Sequence, residues 1–137
     1  MPTSIRVVAA VVERDGKYLI TQRRPEAVLP LLWEFPGGKV EPGEDDRDAL
    51  RREMKERLDV EINVGTQLAT SVHDYEGYTV TLVVYQAELL SDRLRPVRVN
   101  AYHWAASEDF GRYDFPPADQ ATMDTLLGFP KRSDPSA

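Results

Sequence analysis

The stretch from Gly37 to Val60 constrains this chain more than any other part of it. It opens as Gly37-Gly38-Lys39-Val40-Glu41-Pro42-Gly43-Glu44, where adjacent glycines let main chain come close to a phosphate or a metal. It continues as a helix. Asp45 and Asp46 are N-cap candidates, and acids suit the positive end of a helix dipole. Arg47 to Leu58 contains neither Gly nor Pro, and Leu50, Met54 and Leu58 recur at four-residue spacing as a core-facing stripe. Glu53 and Glu56, three apart, are neighbours on one edge. Oxygen ligands at that spacing suit Mg²⁺ or Mn²⁺, hard cations that phosphate substrates bring with them. The plain alternative is a solvated acidic face laced by pairs such as Asp48 with Arg52.

The loop favours the first reading. Gly38, Glu44, Arg52, Glu53, Met54, Glu56 and Val60 stand in the register of the Nudix box, a Gly-to-Glu loop followed by an Arg-Glu helix. Leu32-Trp33-Glu34-Phe35-Pro36-Gly37-Gly38-Lys39 and Phe115-Pro116-Pro117-Ala118-Asp119 resemble the MutT-like branch of that superfamily, and the similarity extends to about Leu127. The resemblance implies an α/β fold, the α/β/α Nudix sandwich with a mixed sheet. It implies hydrolysis of a nucleoside triphosphate to monophosphate and pyrophosphate, in the service of sanitising the nucleotide pool. A diphosphate substrate would give orthophosphate instead.

The same resemblance implies the residue roles. Glu53 and Glu56 hold Mg²⁺, or Mn²⁺ in its place, helped by main chain at Gly37 or Gly38. Glu53 is the general base, Glu44 orients the helix or adds a metal contact, and Arg52 fixes the acids. Arg23 holds phosphate and Glu34 lies close to the metal–phosphate site; Lys39, read from its own charge, meets phosphate as a point charge or is a solvated lysine. Phe35 and Asp119 receive the base. An ionised Asp119 only accepts hydrogen bonds, which favours amino-bearing edges such as cytosine N4, with guanine also served. As a structural residue, Asp119 instead favours a helix N-terminus.

Two positions depart from the box. Asp59 replaces a glycine, a mild change because Asp tolerates the left-handed conformation at a helix end. Arg57 replaces a glutamate that commonly ligates metal. At about 100° per residue it projects between Glu53 and the apolar stripe, so it pairs with Glu53 or snorkels past it. A cation there opposes a divalent ion. Glu56 takes over the ligand role, an acid such as Glu34, Glu41 or Asp45 closes the site, or the domain binds nucleotide with weak or no hydrolysis. The Leu-Trp-Glu-Phe-Pro-Gly-Gly segment is also similar to the damage-recognition domain of adenine DNA glycosylases. Relatives of the MutT type often carry a further metal-binding Glu before the last strand, and 94–101 holds none.

Elsewhere the chain reads as short strands. Ile5 to Glu13 is a strand, Arg14-Asp15-Gly16-Lys17 a hairpin turn, and Tyr18 to Arg24 the returning strand. Val60 to Val72 alternates poorly but is rich in β-formers. Tyr75-Glu76-Gly77 is a turn before a strand from Tyr78 to Leu89, and Ala101 to Trp104 is another strand. A last helix opens at Phe115–Asp119, with Met123, Leu126 and Leu127 as its apolar contacts. His73 and His103 have no partners at a recognisable catalytic spacing and are read as structural or surface residues.

A chain of 137 residues, 42% apolar, suffices for one domain with a real core, expected over 1–130 with a flexible tail at 131–137. The net charge of −6 argues against a general nucleic-acid binder but not against a nucleotide substrate. The absence of cysteine excludes disulfides and thiolate metal sites, and no secretory pattern or membrane-length apolar run is seen. A cytoplasmic monomer or homodimer, with a nucleotide as its partner, is expected.

Overall fold

A computed structural model describes residues 3–119. The tail expected at 131–137 and the apolar contacts expected of a last helix, Met123, Leu126 and Leu127, lie outside them. The elements in order are β1 (Thr3–Val11), β2 (Glu13–Arg14), β3 (Lys17–Gln22), β4 (Trp33–Glu34), β5 (Gly37–Lys39), α1 (Asp46–Leu58), β6 (Ile62–Tyr75), β7 (Tyr78–Leu89) and β8 (Ala101–Ala105). Two 3₁₀ turns follow, Ser107–Arg112 and Pro117–Asp119.

Turn chemistry sets the hairpins. Asp15 and Gly16 take φ of 53° and 77°, the paired positive values of a two-residue loop, and Arg14 faces Lys17 across it. Gly77, at φ 84°, closes the β6–β7 hairpin, where Tyr75 faces Tyr78. One sheet runs β5-β1-β7-β6, mixed because β1 is parallel to β7 while its other pairings are antiparallel. The second is formed by β2, β3 and β4, with β8 also on β3. The single expected strand over Ile5 to Glu13 is therefore two. Its chain leaves one sheet at Val11 and enters the other at Glu13.

Both faces of the mixed sheet are covered, which explains the unbroken apolar run at its centre. Val8, Ala10 and Val12 face the cluster that includes Ala49, Leu50, Met54 and Leu58 of α1, joined by Val83 and Tyr85 of β7. Ala9, Val11, Leu82 and Val84 face the other way, onto Ile20, Phe35 and Phe110. The three stripe residues of α1 are fully buried. This mixed sheet with its helix gives the α/β class read from the sequence.

The helix ends follow their residues. Asp45 caps the N-terminus by accepting from the Asp48 amide at 2.8 Å, and Asp59 ends the helix in the left-handed region at φ 52°. Asp46 accepts both Arg6 Nε and Nη2, at 2.8 and 2.7 Å, and the Tyr85 hydroxyl at 2.8 Å, which fastens the first turn to the sheet. Strand β6 has register shifts between Val64 and Gln67 and between Gln67 and Ala69. Arg47 donates to the Val64 and Gly65 carbonyls there, at 2.8 and 2.9 Å. The bulges explain the poor alternation of this strand, since each resets the two-residue phase.

Gly37 pairs with Ala9 so closely that a Cβ would overlap the Val8 carbonyl oxygen and the Ala9 Cα. Those are backbone atoms of the central strand and cannot step aside. Gly37→Ala is expected to destabilise the fold by at least about 2 kcal/mol. Urea unfolding checks it: the midpoint should fall at unchanged slope.

Candidate active site

The site is built on the exposed edge of α1. Arg52 is its hub. Its guanidinium donates Nε and Nη2 to the two oxygens of Glu44, at 2.8 and 3.0 Å, a bidentate pair across the loop. Nη1 reaches Glu53 Oε1 at 2.9 Å and Glu56 Oε2 at 3.2 Å, and Nη2 also reaches the Lys39 carbonyl at 2.9 Å. The expected pairing of Asp48 with Arg52 does not form: Asp48 pairs with Arg51 at 3.0 Å, because Arg52 turns the other way, into the loop. Glu44 also accepts from the Glu41 amide at 3.0 Å. The Arg52 guanidinium holds the Glu44 carboxyl far below its usual range, at about 2.

Glu53 is buried and lies against Gly38, where a Cβ would overlap its carboxyl group. The second glycine therefore makes the seat for the acid. Arg57 Nε donates to Glu53 Oε2 at 2.6 Å, the i,i+4 pairing expected from the helix period. Glu53 thus carries a guanidinium on each oxygen. Glu56 is more open and is flanked by Arg98 Nη1 at 3.8 Å. Among the described residues no three His, Asp or Glu side chains gather as a ready ligand set. The donor chemistry nonetheless fits a hard divalent ion: two neighbouring carboxylates, Glu53 and Glu56, beside the main chain at Gly38, whose missing side chain makes room for the Glu53 carboxyl. Gly37, Gly38, Glu53 and Glu56 all line one cleft of about 860 Å³, except that Gly37 is turned mainly toward β1. Lys39, Glu34, Arg23, Phe35 and Asp119 line it as well.

The other end of the cleft is built by the second sheet and the last turn. Arg23 donates Nη1 to Glu34, at 2.9 and 3.3 Å to its two oxygens, and Nε to the Val28 carbonyl at 2.6 Å. Phe35 is buried, its ring edge-on to Phe110 at 5.8 Å and tilted against Phe115 at 5.6 Å, so only a small part of it meets the cleft. Asp119 is 4% exposed. Burial, reinforced by the Glu34 carboxylate and opposed by Arg23, pushes its carboxyl well above the usual range. A carboxyl shifted in that direction moves toward a form that donates as well as accepts.

Sequence reasoning missed Arg98, Tyr75 and Tyr78, all of which line the cleft. Arg98 arrives through the backbone: its amide and that of Val97 donate to the Arg57 carbonyl, at 3.2 and 3.0 Å. The lack of an acid at 94–101 was visible, but the placement of a base there was not. His73 packs on Tyr75 and His103 on Trp33, each at 4.6 Å between ring centres, and neither lines the cleft.

Comparison with known proteins agrees with this geometry. The model of the NUDIX domain family matches residues 7–125. The CTP pyrophosphohydrolase of Escherichia coli K12 is 37% identical over 123 residues, covering 90% of this chain and 91% of that protein. A putative 8-oxo-dGTP diphosphatase 2 of Mycobacterium tuberculosis is 34% identical, covering 88% and 86%. The solution structure of the Escherichia coli ORF135 protein superposes with a TM-score of 0.78 at 35% identity, covering 93% of this chain and 91% of that one.

Two pH dependences follow, of opposite sign. The Glu44 carboxyl is depressed from 4.5 to about 2, so its contribution to stability is full above pH 4.5 and is lost as pH falls toward 2. Melting curves of Glu44→Gln should lie below those of the parent at neutral pH and converge with them near pH 2. The Asp119 carboxyl is raised, so folding is favoured below pH 3.8 and progressively penalised above it. Asp119→Asn should therefore raise the melting temperature more at pH 8 than at pH 3.5. Calorimetric scans across pH check both.

Proposed function

The chain belongs to the NUDIX domain family and is a diphosphohydrolase of nucleoside phosphates, and from that membership we propose a MutT-type activity: hydrolysis of nucleoside or deoxynucleoside triphosphates, cytosine nucleotides first, to monophosphate and pyrophosphate. The observation that carries the reading is one continuous cleft. It joins Glu53, seated under Gly38, to Asp119 at the other end. A triphosphate can lie along it with its base held at one end and its phosphoanhydrides over the acids.

Glu53 and Glu56 would hold the divalent ion, proposed as Mg²⁺ with Mn²⁺ as substitute, beside the main chain of Gly38. When bound, that ion neutralises phosphate charge and acidifies water. The remaining roles belong to the chain. Glu53 takes a proton from the attacking water as the α–β bridge breaks. Arg52 keeps Glu53 in place, and Glu44 keeps Arg52 in place. Arg23 and Lys39 receive phosphate oxygens. Asp119 in its protonated form offers a donor and an acceptor, which match N3 and the N4 amino group of cytosine. The Escherichia coli relative named for CTP supports this choice. The mycobacterial relative named for 8-oxo-dGTP makes oxidised guanine nucleotides the next candidates, and a cytoplasmic nucleotide pool is the proposed setting.

A second reading is favoured by one contact. Arg57 on Glu53 Oε2 competes with any metal for that oxygen. The domain would then bind nucleotide and turn it over weakly or not at all.

A nucleotide panel separates the two. CTP or dCTP with Mg²⁺ should yield pyrophosphate and monophosphate in equal amounts, and chelation should stop the reaction. Glu53→Gln should lower kcat by about 10²–10⁴. If no nucleotide is cleaved with Mg²⁺ or Mn²⁺, the hydrolase reading is wrong. If Arg57→Glu raises turnover more than about tenfold, the parent is the weak module.

A further inference from the structure

We infer that Arg57 and Arg98, with Arg23, form a subsite for the terminal phosphates of the substrate, the two that leave as pyrophosphate. The inference rests on the hydrolase reading for its substrate, but not for its anion chemistry.

The main cleft opens into a side recess of about 280 Å³. The recess is lined by Arg23, Arg24, Glu26, Ala27, Arg57 and Arg98, and it shares Arg23, Ala27, Arg57 and Arg98 with the cleft. Four arginines face one glutamate there, and Glu26 is already taken by Arg24 Nε at 2.7 Å. In a chain of net charge −6, this is a concentrated positive pocket. Such a pocket raises the local concentration of anions.

The arginines are held in place but not used up. Arg57 spends Nε on Glu53 Oε2 at 2.6 Å. Among the described residues its two terminal amino groups have no acceptor. Arg98 comes within 3.8 Å of Glu56, too far for a hydrogen bond, and its side chain is 64% exposed. Its main chain is fixed, because the Val97 and Arg98 amides donate to the Arg57 carbonyl. The Arg95 amide donates to the Leu58 carbonyl at 2.9 Å. The segment that would otherwise be a mobile loop is thus fastened to the end of α1. Arg23 is clamped by Glu34 and the Val28 carbonyl. Guanidinium groups fixed by protein partners on one side and open on the other are preorganised for phosphate oxygens.

Position selects the ligand. Arg57 bonds Glu53 and Arg98 approaches Glu56, so both border the acids of α1, while Arg23 carries the positive lining on toward Glu34. Phosphates lying over those acids would therefore have the recess beside them. Arg57 then has a definite use: it gives up a carboxylate and adds a cation where the leaving group collects negative charge.

The test is calorimetric binding of inorganic pyrophosphate to the full chain, in EDTA and at low salt, with orthophosphate as a parallel titrant. Pyrophosphate should bind, more tightly than orthophosphate, and should weaken as salt rises. Arg98→Gln and Arg57→Gln should each weaken it by about fivefold or more, and Arg57→Lys should recover part of the loss. Circular dichroism of Arg98→Gln, a change at an exposed side chain, guards against misfolding. The same proteins are then assayed with CTP. Cleavage of CTP together with unchanged pyrophosphate affinity in both Gln variants overturns the subsite and leaves the hydrolase reading intact. Loss of pyrophosphate binding in the variants, with no nucleotide cleaved by the parent, supports the subsite and overturns that reading. Absence of pyrophosphate binding by the parent overturns the subsite outright.

Discussion

One guanidinium holds this site together. Arg52 joins the glycine loop to the helix by donating to Glu44, Glu53, Glu56 and the Lys39 carbonyl. Without it, three carboxylates would face one another across the mouth of the cleft and repel. With it, they share one guanidinium and are held close. The pairing raises the affinity of Arg52 for its proton and depresses that of Glu44. These charges are partly open to solvent, so their role is positioning far more than stability. Stability comes from the stripe beneath, where Leu50, Met54 and Leu58 pack onto the sheet.

The cleft is lined by groups of different kinds. Burial pushes Asp119 toward the neutral acid, Glu53 and Glu56 present hard oxygens, and arginines dominate the recess that adjoins them. A nucleotide has matching parts, an uncharged base and phosphates that carry the charge.

Much of the frame was legible in the chain. Asp15-Gly16 and Gly77 are residues that accept positive φ, so both hairpins were visible. Asp45 and the Leu50–Met54–Leu58 stripe announced the helix, and the helical period alone brought Arg57 to Glu53. Where both faces of a strand are buried the period vanishes, so the step from β1 to β2 at Val12 was hidden. The bulges of β6 erased its phase in the same way. In the site, Arg98 was illegible because main-chain bonds to a helix end carry it in, and such bonds leave no mark on side-chain pattern. The state of Asp119 was illegible because it depends on Glu34 and on burial, both set by tertiary packing.

The backbone at residue 57 has a further consequence. Its carbonyl anchors the segment that bears Arg98, and this bond is indifferent to which side chain projects from the same residue. An exchange of acid for base there alters the local charge by two and leaves that anchoring bond available, although it removes the ion pair with Glu53. The electrostatic character of the cavity therefore turns on a single residue.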